Sequence, residues 1–320
     1  MAEITEDISL AVKTLQAGDL VAIPTETVYG LAANALNEQS VMRIFEAKQR
    51  PTFDPLIVHI GRMEDVDLYA TEIPDAARTL MAKAWPGPLT ILLKKNPIIP
   101  DLVTSGLDTV GLRMPHHALT LHLLQQLDFP LAAPSANPFG YISPTTARHV
   151  QAQLGEVIPL ILDGGPCEVG VESTIVDCSH ERPIIHRLGG LSKEEIESWI
   201  GPVEVNIHAS ENPAAPGMLT SHYAPRKPMI VGDIPSLLEE NRNKRVAILS
   251  FQTTYDGYPH VRLSAEGNLN EAARNLFASM RVLDAMEGDM IIAEWVPEEG
   301  LGLAINDRLK RASAIEPSTH

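Results

Sequence analysis

Lys48 and Arg50 lie one residue apart before a proline, and the apolar run Pro55-Leu56-Ile57-Val58 that follows ends in His59. Lysine offers a compact point charge and arginine a planar fork for two oxygens, so such a pair suits a polyphosphate. At a helix end the pair alone reads more simply as a complement to the helix dipole. Three further segments place polar side chains directly after apolar ones: Pro24-Thr25-Glu26-Thr27-Val28-Tyr29-Gly30, Ala132-Ala133-Pro134-Ser135-Ala136-Asn137-Pro138, and Gly170-Val171-Glu172-Ser173-Thr174. In open α/β sheets, strand ends are where ligands are held, so all four segments are expected to meet at one site. No GxSxG elbow and no evident Ser-His-Asp set occurs, so no covalent enzyme intermediate is expected.

The elements that must position these residues alternate between strand-like and helix-like patterns. Ile4, Ile8, Val12 and Leu15 recur at helical spacing and stop at Gly18. Strands are expected at Asp19–Pro24, Pro55–Ile60, Leu89–Leu93, Val110–Met114, Leu131–Ala133, Val157–Leu162, Thr174–Val176 and Ile184–Leu188. Helices are expected at Val41–Lys48, Pro74–Trp85, Leu119–Leu127 and Thr145–Leu154. This alternation predicts an α/β fold with a mixed sheet over residues 1–208. Residues 209–228 are rich in proline and small side chains and fit neither period, which predicts an extended interdomain linker. Residues 229–320 return to alternation, with strands at Met229–Val231, Arg245–Ser250 and Met290–Ala293. Helices around Leu237, over Leu269–Met286 and over Leu301–Ala312 complete a small three-layer α/β domain. It lacks a GxGxxG turn, so no dinucleotide is indicated.

PTETVYGL, the KxRP stretch with PLIVHI, WPGPLT, GLRMP, APSAN, DGG and GVESTI, in this order, resemble the YrdC-like threonylcarbamoyl-AMP synthase family. PGMLTSHYAP resembles the linker of its longer, two-domain members. The resemblance implies a twisted mixed YrdC-like sheet joined to a Rossmann-like C-terminal domain. It also implies condensation of L-threonine, bicarbonate and ATP to threonylcarbamoyl-AMP and pyrophosphate, with Mg²⁺ held mainly by the phosphates. By resemblance, Lys48, Arg50, Thr109, Ser135, Asn137, Ser143, Arg187 and Tyr223 fall on the ATP side, with Lys48 and Arg50 as the catalytic cations. Thr25, His59, Arg113, Ala133 (through its backbone) and Ser173 fall at threonine-contacting positions. Tyr223 is open to two readings, a lid over the nucleotide or a docking anchor for the linker.

Composition limits the partners. The chain of 320 residues carries a formal net charge of −16, whereas gripping an RNA backbone needs a basic face. Transfer to tRNA is therefore expected to fall to separate threonylcarbamoyltransferase proteins. The rival class is an RNA-binding or ribosome-maturation module, which would show a steep salt dependence. A closer rival is carbamoyl-adenylate chemistry, as in hydrogenase maturation proteins, whose acylphosphatase-like and zinc-finger segments are missing here. No apolar run is long enough to span a bilayer. The acidic N-terminus is unlike a targeting peptide, and Cys167 and Cys178 are read as reduced thiols in a cytoplasmic protein.

Overall fold

The first buried strand, Val21–Ile23, pairs antiparallel with Gly30–Asn34, and the chain between them is the Thr25–Val28 turn. Around this hairpin a computed structural model, which describes residues 1–207, 215–218 and 221–314, builds a twelve-stranded mixed sheet. Its centre runs Val21–Ile23, Gly30–Asn34, Leu131–Ala132, Ile57–His59, Thr109–Arg113, Leu89–Lys95, Thr174–Asp177 and Ile184–Arg187 in spatial order. A second, four-stranded sheet is wholly parallel, in the order Met229–Val231, Met290–Ala293, Val246–Ser250, His260–Arg262. No helix among the described residues is long and apolar enough to cross a membrane.

Several short strands differ from expectation. Glu3–Thr5 pairs parallel with Leu160–Leu162, so Ile4 belongs to a strand and the helix starts only at Ile8. Asp7 makes that boundary by accepting hydrogen bonds from the Ser9 and Leu10 amides, a side-chain cap that hydrophobic period alone does not reveal. Ala70–Glu72, Glu204–Val205 and His260–Arg262 carry too few apolar residues to stand out, and pair because of their neighbours. The expected linker boundary at 208/209 lies outside the described residues. Its other end meets the strand beginning at Met229.

The two sheets share packing through the linker. Val28, Ile142, Val171 and Tyr223 lie in the same apolar cluster as Leu276, Phe277, Ile305 and Leu309. Phe277 and Leu276 come from the helix Leu269–Ala285, and Ile305 and Leu309 from the helix Leu301–Ala312. Each such side chain contributes about 1.5–3 kcal/mol by leaving water. Gly170 allows this closeness: a Cβ there would stand 2.4 Å from the Arg274 Cα, against the helix backbone. Polar ties reinforce the seam, with Tyr141 Oη donating to Asp284 at 2.6 Å and Arg281 donating to the Ser143 carbonyl at 3.3 Å.

Candidate active site

Register places the site on a face of the large sheet. His59 pairs with Arg113, and Ile57 with Gly111, so Ile57, His59 and Arg113 point to one side. Ile175 and Arg187, partners across the Thr174–Asp177 and Ile184–Arg187 strands, extend that face. Ala215 and Met218 of the linker pack over it against Ile57, Leu92 and Ile175. A narrow cleft remains, walled by Arg50, His59, Arg113, Ala133, Ser135 and Arg187 together with Glu172, Pro216, Gly217, His222 and Tyr223. The polar segments converge as expected, with His59, Arg113 and Arg187 the last residues of their strands, on a face that the linker covers.

Helix termination delivers the first two cations. The helix Glu38–Lys48 is capped by Asn37 and buries Val41, Ile44, Phe45 and Lys48 on one side. Gln49 then turns left-handed at φ 53°, which brings Arg50 to the same interior as Lys48. Lys48 Nζ donates to the carbonyls of Ser135 and Asn137, each at 2.5 Å. Arg50 pairs with Asp54 at 2.9 Å and donates to the Pro55 carbonyl at 2.9 Å, one helical turn onward in sequence. Its guanidinium also lies 5.7 Å from the Phe139 ring. Burial, then repulsion from Arg50, brings the Lys48 ammonium well below its ordinary pKa. Burial likewise raises the Asp54 carboxyl, against the pull of Arg50.

Arg113 is held from the opposite side. Its Nη2 meets Glu26 at 2.8 Å and donates to Thr27 Oγ1 at 2.9 Å, while Nε has no hydrogen-bond partner among the described residues. Thr25 does not line the cleft. Its hydroxyl donates to the Val28 carbonyl at 2.6 Å and receives the Thr27 and Val28 amides, shaping the turn that carries Glu26 and Thr27. His59 does line it, and burial, then Arg113, pulls its imidazole down to about 3. It is therefore a neutral hydrogen-bonding group.

The remaining expected residues divide in the same way. Ser173 stands behind Arg187, accepting from Nη2 at 2.9 Å and sharing a hydrogen bond with Thr90 at 2.8 Å. Asn137 donates to the Pro138 and Tyr141 carbonyls and leaves Oδ1 without a partner among the described residues. Ser143 donates to Glu172 at 2.5 Å. Thr109 is not brought in: it begins the strand that Arg113 ends, roughly 13 Å away at ~3.3 Å per residue, and is absent from the cleft wall.

Tyr223 is buried, at φ 63°, with its ring stacked 5.5 Å from Phe277 and its hydroxyl beside Gly217. Burial, then the Glu172 carboxylate, pushes its phenol up to about 12. His222 packs edge-on against both Phe139 and Tyr223. Burial and the surrounding Arg50, Lys48, Arg187 and Arg308 keep it well below its ordinary pKa. The linker thus closes one wall of the cleft. His222, Glu172, Asp54 and Arg308 were not singled out from the sequence. The Arg50–Asp54 spacing was readable there, whereas Arg308 and Glu172 meet only through the fold.

The chain can be compared with known proteins on this basis. Residues 13–189 match the Sua5/YciO/YrdC family model, described as telomere recombination, and residues 191–314 match the threonylcarbamoyl-AMP synthase C-terminal domain. A threonylcarbamoyl-AMP synthase of Pyrococcus abyssi is 44% identical, covering 96% of this chain and 94% of the relative. One from Bacillus subtilis is 41% identical, covering 96% and 92% respectively. The structure of P. abyssi Sua5 complexed with L-threonine superposes with a TM-score of 0.93 at 41% identity, over 98% of this chain and 97% of that one. With both of its parts matched in sequence order, the chain belongs to the Sua5/YrdC family of threonylcarbamoyl-AMP synthases.

Proposed function

We propose that this chain condenses L-threonine, bicarbonate and ATP into threonylcarbamoyl-AMP and pyrophosphate. The observation that carries the reading is the convergence of Arg50, Arg113 and Arg187 on one covered cleft in a chain of net charge −16. Buried cations of this kind fit anionic substrates, and Asp54 and Glu26 balance Arg50 and Arg113.

The arrangement divides the work. At the Arg113 end, the unpaired Nε and the neutral His59 ring suit an amino acid's carboxylate and hydroxyl, with the Ala133 backbone as a further contact. Thr25 acts behind this end as a support of the turn, and Ser173 supports Arg187 at the other end. At the Arg50–Arg187 end, Ser135 and the linker wall suit the nucleotide, and Lys48 holds the Ser135–Asn137 turn in place. The neutral threonine amine attacks the bicarbonate carbon, and loss of one water gives the carbamate. A carbamate oxygen then attacks the α-phosphorus, the bond to the β-phosphate oxygen breaks, and pyrophosphate departs. Charge develops on the departing phosphates, where fixed guanidinium groups stabilise it without reorganising.

Mg²⁺ enters with ATP. The described residues hold no group of three or more His, Cys, Asp or Glu side chains that could cage a metal, and the carboxylates of Asp54 and Glu172 are already engaged by Arg50 and Arg308. The donor set fits a phosphate-held ion, not a resident one. The product is a hydrolysable mixed anhydride, which suits a covered cleft and handover to separate tRNA-modifying proteins. Incubation with ATP, threonine and ¹³C-bicarbonate should give a product whose mass carries the label in the carbamoyl group. AMP without a labelled conjugate would overturn the assignment.

A further inference from the structure

We propose that Arg308, in the C-terminal helix Leu301–Ala312, is a positioning residue for the nucleotide half of the cleft. Its side chain is completely buried, though it belongs to the part of the chain that supplies none of the cleft's cations. Nε donates to Glu172 Oε2 at 3.1 Å, and Nη1 donates to the Leu188 carbonyl at 2.6 Å and to Asp307 at 3.0 Å. The guanidinium carbon lies 5.3 Å from the centre of the Tyr223 ring. Glu172 spends its other oxygen on the Ser143 hydroxyl at 2.5 Å. One planar cation therefore fixes a carboxylate and an aromatic ring that both form cleft wall, and through the carboxylate a third side chain.

The charge argument gives this arrangement a direction. Glu172 faces a cleft whose other charged walls, Arg50, Arg113 and Arg187, are cationic. Left unpaired, its carboxylate would repel a polyphosphate across a poorly screened gap. Arg308 compensates that charge from behind the wall. Lysine cannot substitute fully, because a single ammonium cannot reach a carboxylate and a carbonyl while lying along a ring face. The C-terminal region is on this view part of the nucleotide site, coupled to its wall through one side chain.

The inference rests on assigning the Glu172–Tyr223 side of the cleft to nucleotide, and two measurements separate the claims. Calorimetric binding of α,β-methylene-ATP to the full chain reads the nucleotide site whether or not turnover occurs. Threonine-dependent pyrophosphate release reads the proposed reaction. Arg308→Lys should weaken the analogue and raise the KM for ATP about tenfold or more, while the KM for threonine stays within about twofold. Arg308→Met should be worse, and adding Glu172→Gln to it should recover part of the ATP affinity by removing the uncompensated charge. The double variant also keeps the test open if Arg308→Lys unfolds. Unchanged nucleotide affinity, parallel rises in both KM values, or no recovery in the double variant would overturn the inference. Absence of threonine-dependent release in the wild type, with intact analogue binding, would defeat the functional reading alone.

Discussion

Lys48 Nζ lies 2.5 Å from both the Ser135 and the Asn137 carbonyl oxygens, joining the end of one helix to the turn after the Leu131–Ala132 strand. Its ammonium is absent from the cleft wall, so its first duty is to shape the turn that presents Ser135. Lys48→Met leaves the buried Asn137 carbonyl without a donor, while the Ser135 carbonyl keeps the Asn137 amide. A loss of about 1–3 kcal/mol in urea unfolding is expected, together with a fall of about 100-fold or more in pyrophosphate release. Full stability with lost turnover would instead make Lys48 a direct phosphate ligand.

Arg113 offers the clearest substrate-specific test. Arg113→Lys keeps a positive charge near Glu26 but gives up the fork and the unpaired Nε. Losing a charge-assisted hydrogen bond worth about 1.5–3 kcal/mol should raise the KM for threonine about 10- to 150-fold. The KM for ATP should stay within about twofold. Steady-state kinetics with each substrate varied in turn decides this, and an equal effect on ATP would contradict it.

Acid stability should carry a signature of His59. Its imidazole sits at about 3 in the folded chain against 6.5 when unperturbed, so between those values the unfolded chain binds a proton that the folded chain refuses. Unfolding free energy then rises with pH across that window, is complete above pH 6.5, and is lost as pH falls toward 3. His149, brought to about 4 by burial and Arg281, acts in the same direction. Asp54, with its carboxyl raised by burial, opposes them above 3.8 but is unchanged in the comparison. His59→Asn should flatten the dependence by up to about 1.4 kcal/mol per pH unit. Urea midpoints at several pH values check it, and an unaltered slope would contradict it.

Much of the site could be read from residue order, because each polar cluster follows an apolar strand and the strands are neighbours in one sheet. The departures have physical causes. Thr25 and Ser173 hydrogen-bond within the protein and are absent from the cleft wall, which residue type alone does not reveal. Thr109 shares the sheet face of Arg113 but sits at the strand's other end, a matter of strand length. Arg308 lies in an amphipathic helix whose charged residues look like solvated surface until the fold brings Glu172 against one of them. The linker's prolines signalled extension, yet nothing in them showed that Ala215 and Met218 pack on the sheet and Tyr223 enters the shared core.

Gly217 tests whether that linker wall protects the product. At φ 83°, an added Cβ would stand 2.8 Å from the Tyr223 hydroxyl and 3.3 Å from Arg187 Cδ. Gly217→Ala should displace the wall at a cost of about 1–3 kcal/mol of local strain, leaving the sheets folded. Tyr223→Ala should loosen the same wall more severely, since it also empties a packed site. In both variants pyrophosphate released per threonylcarbamoyl-AMP recovered should rise above the wild-type ratio. An unchanged ratio would remove any shielding role and leave Tyr223 as a docking anchor.

Pyrophosphate release from ATP, measured with bicarbonate present and with threonine either supplied or withheld, tests the central claim most directly. Release should require threonine, disappear when bicarbonate is removed, and yield threonylcarbamoyl-AMP in step with pyrophosphate. Release at the same rate without threonine would contradict the assignment of the Arg113 end of the cleft and, with it, the reaction proposed for the chain.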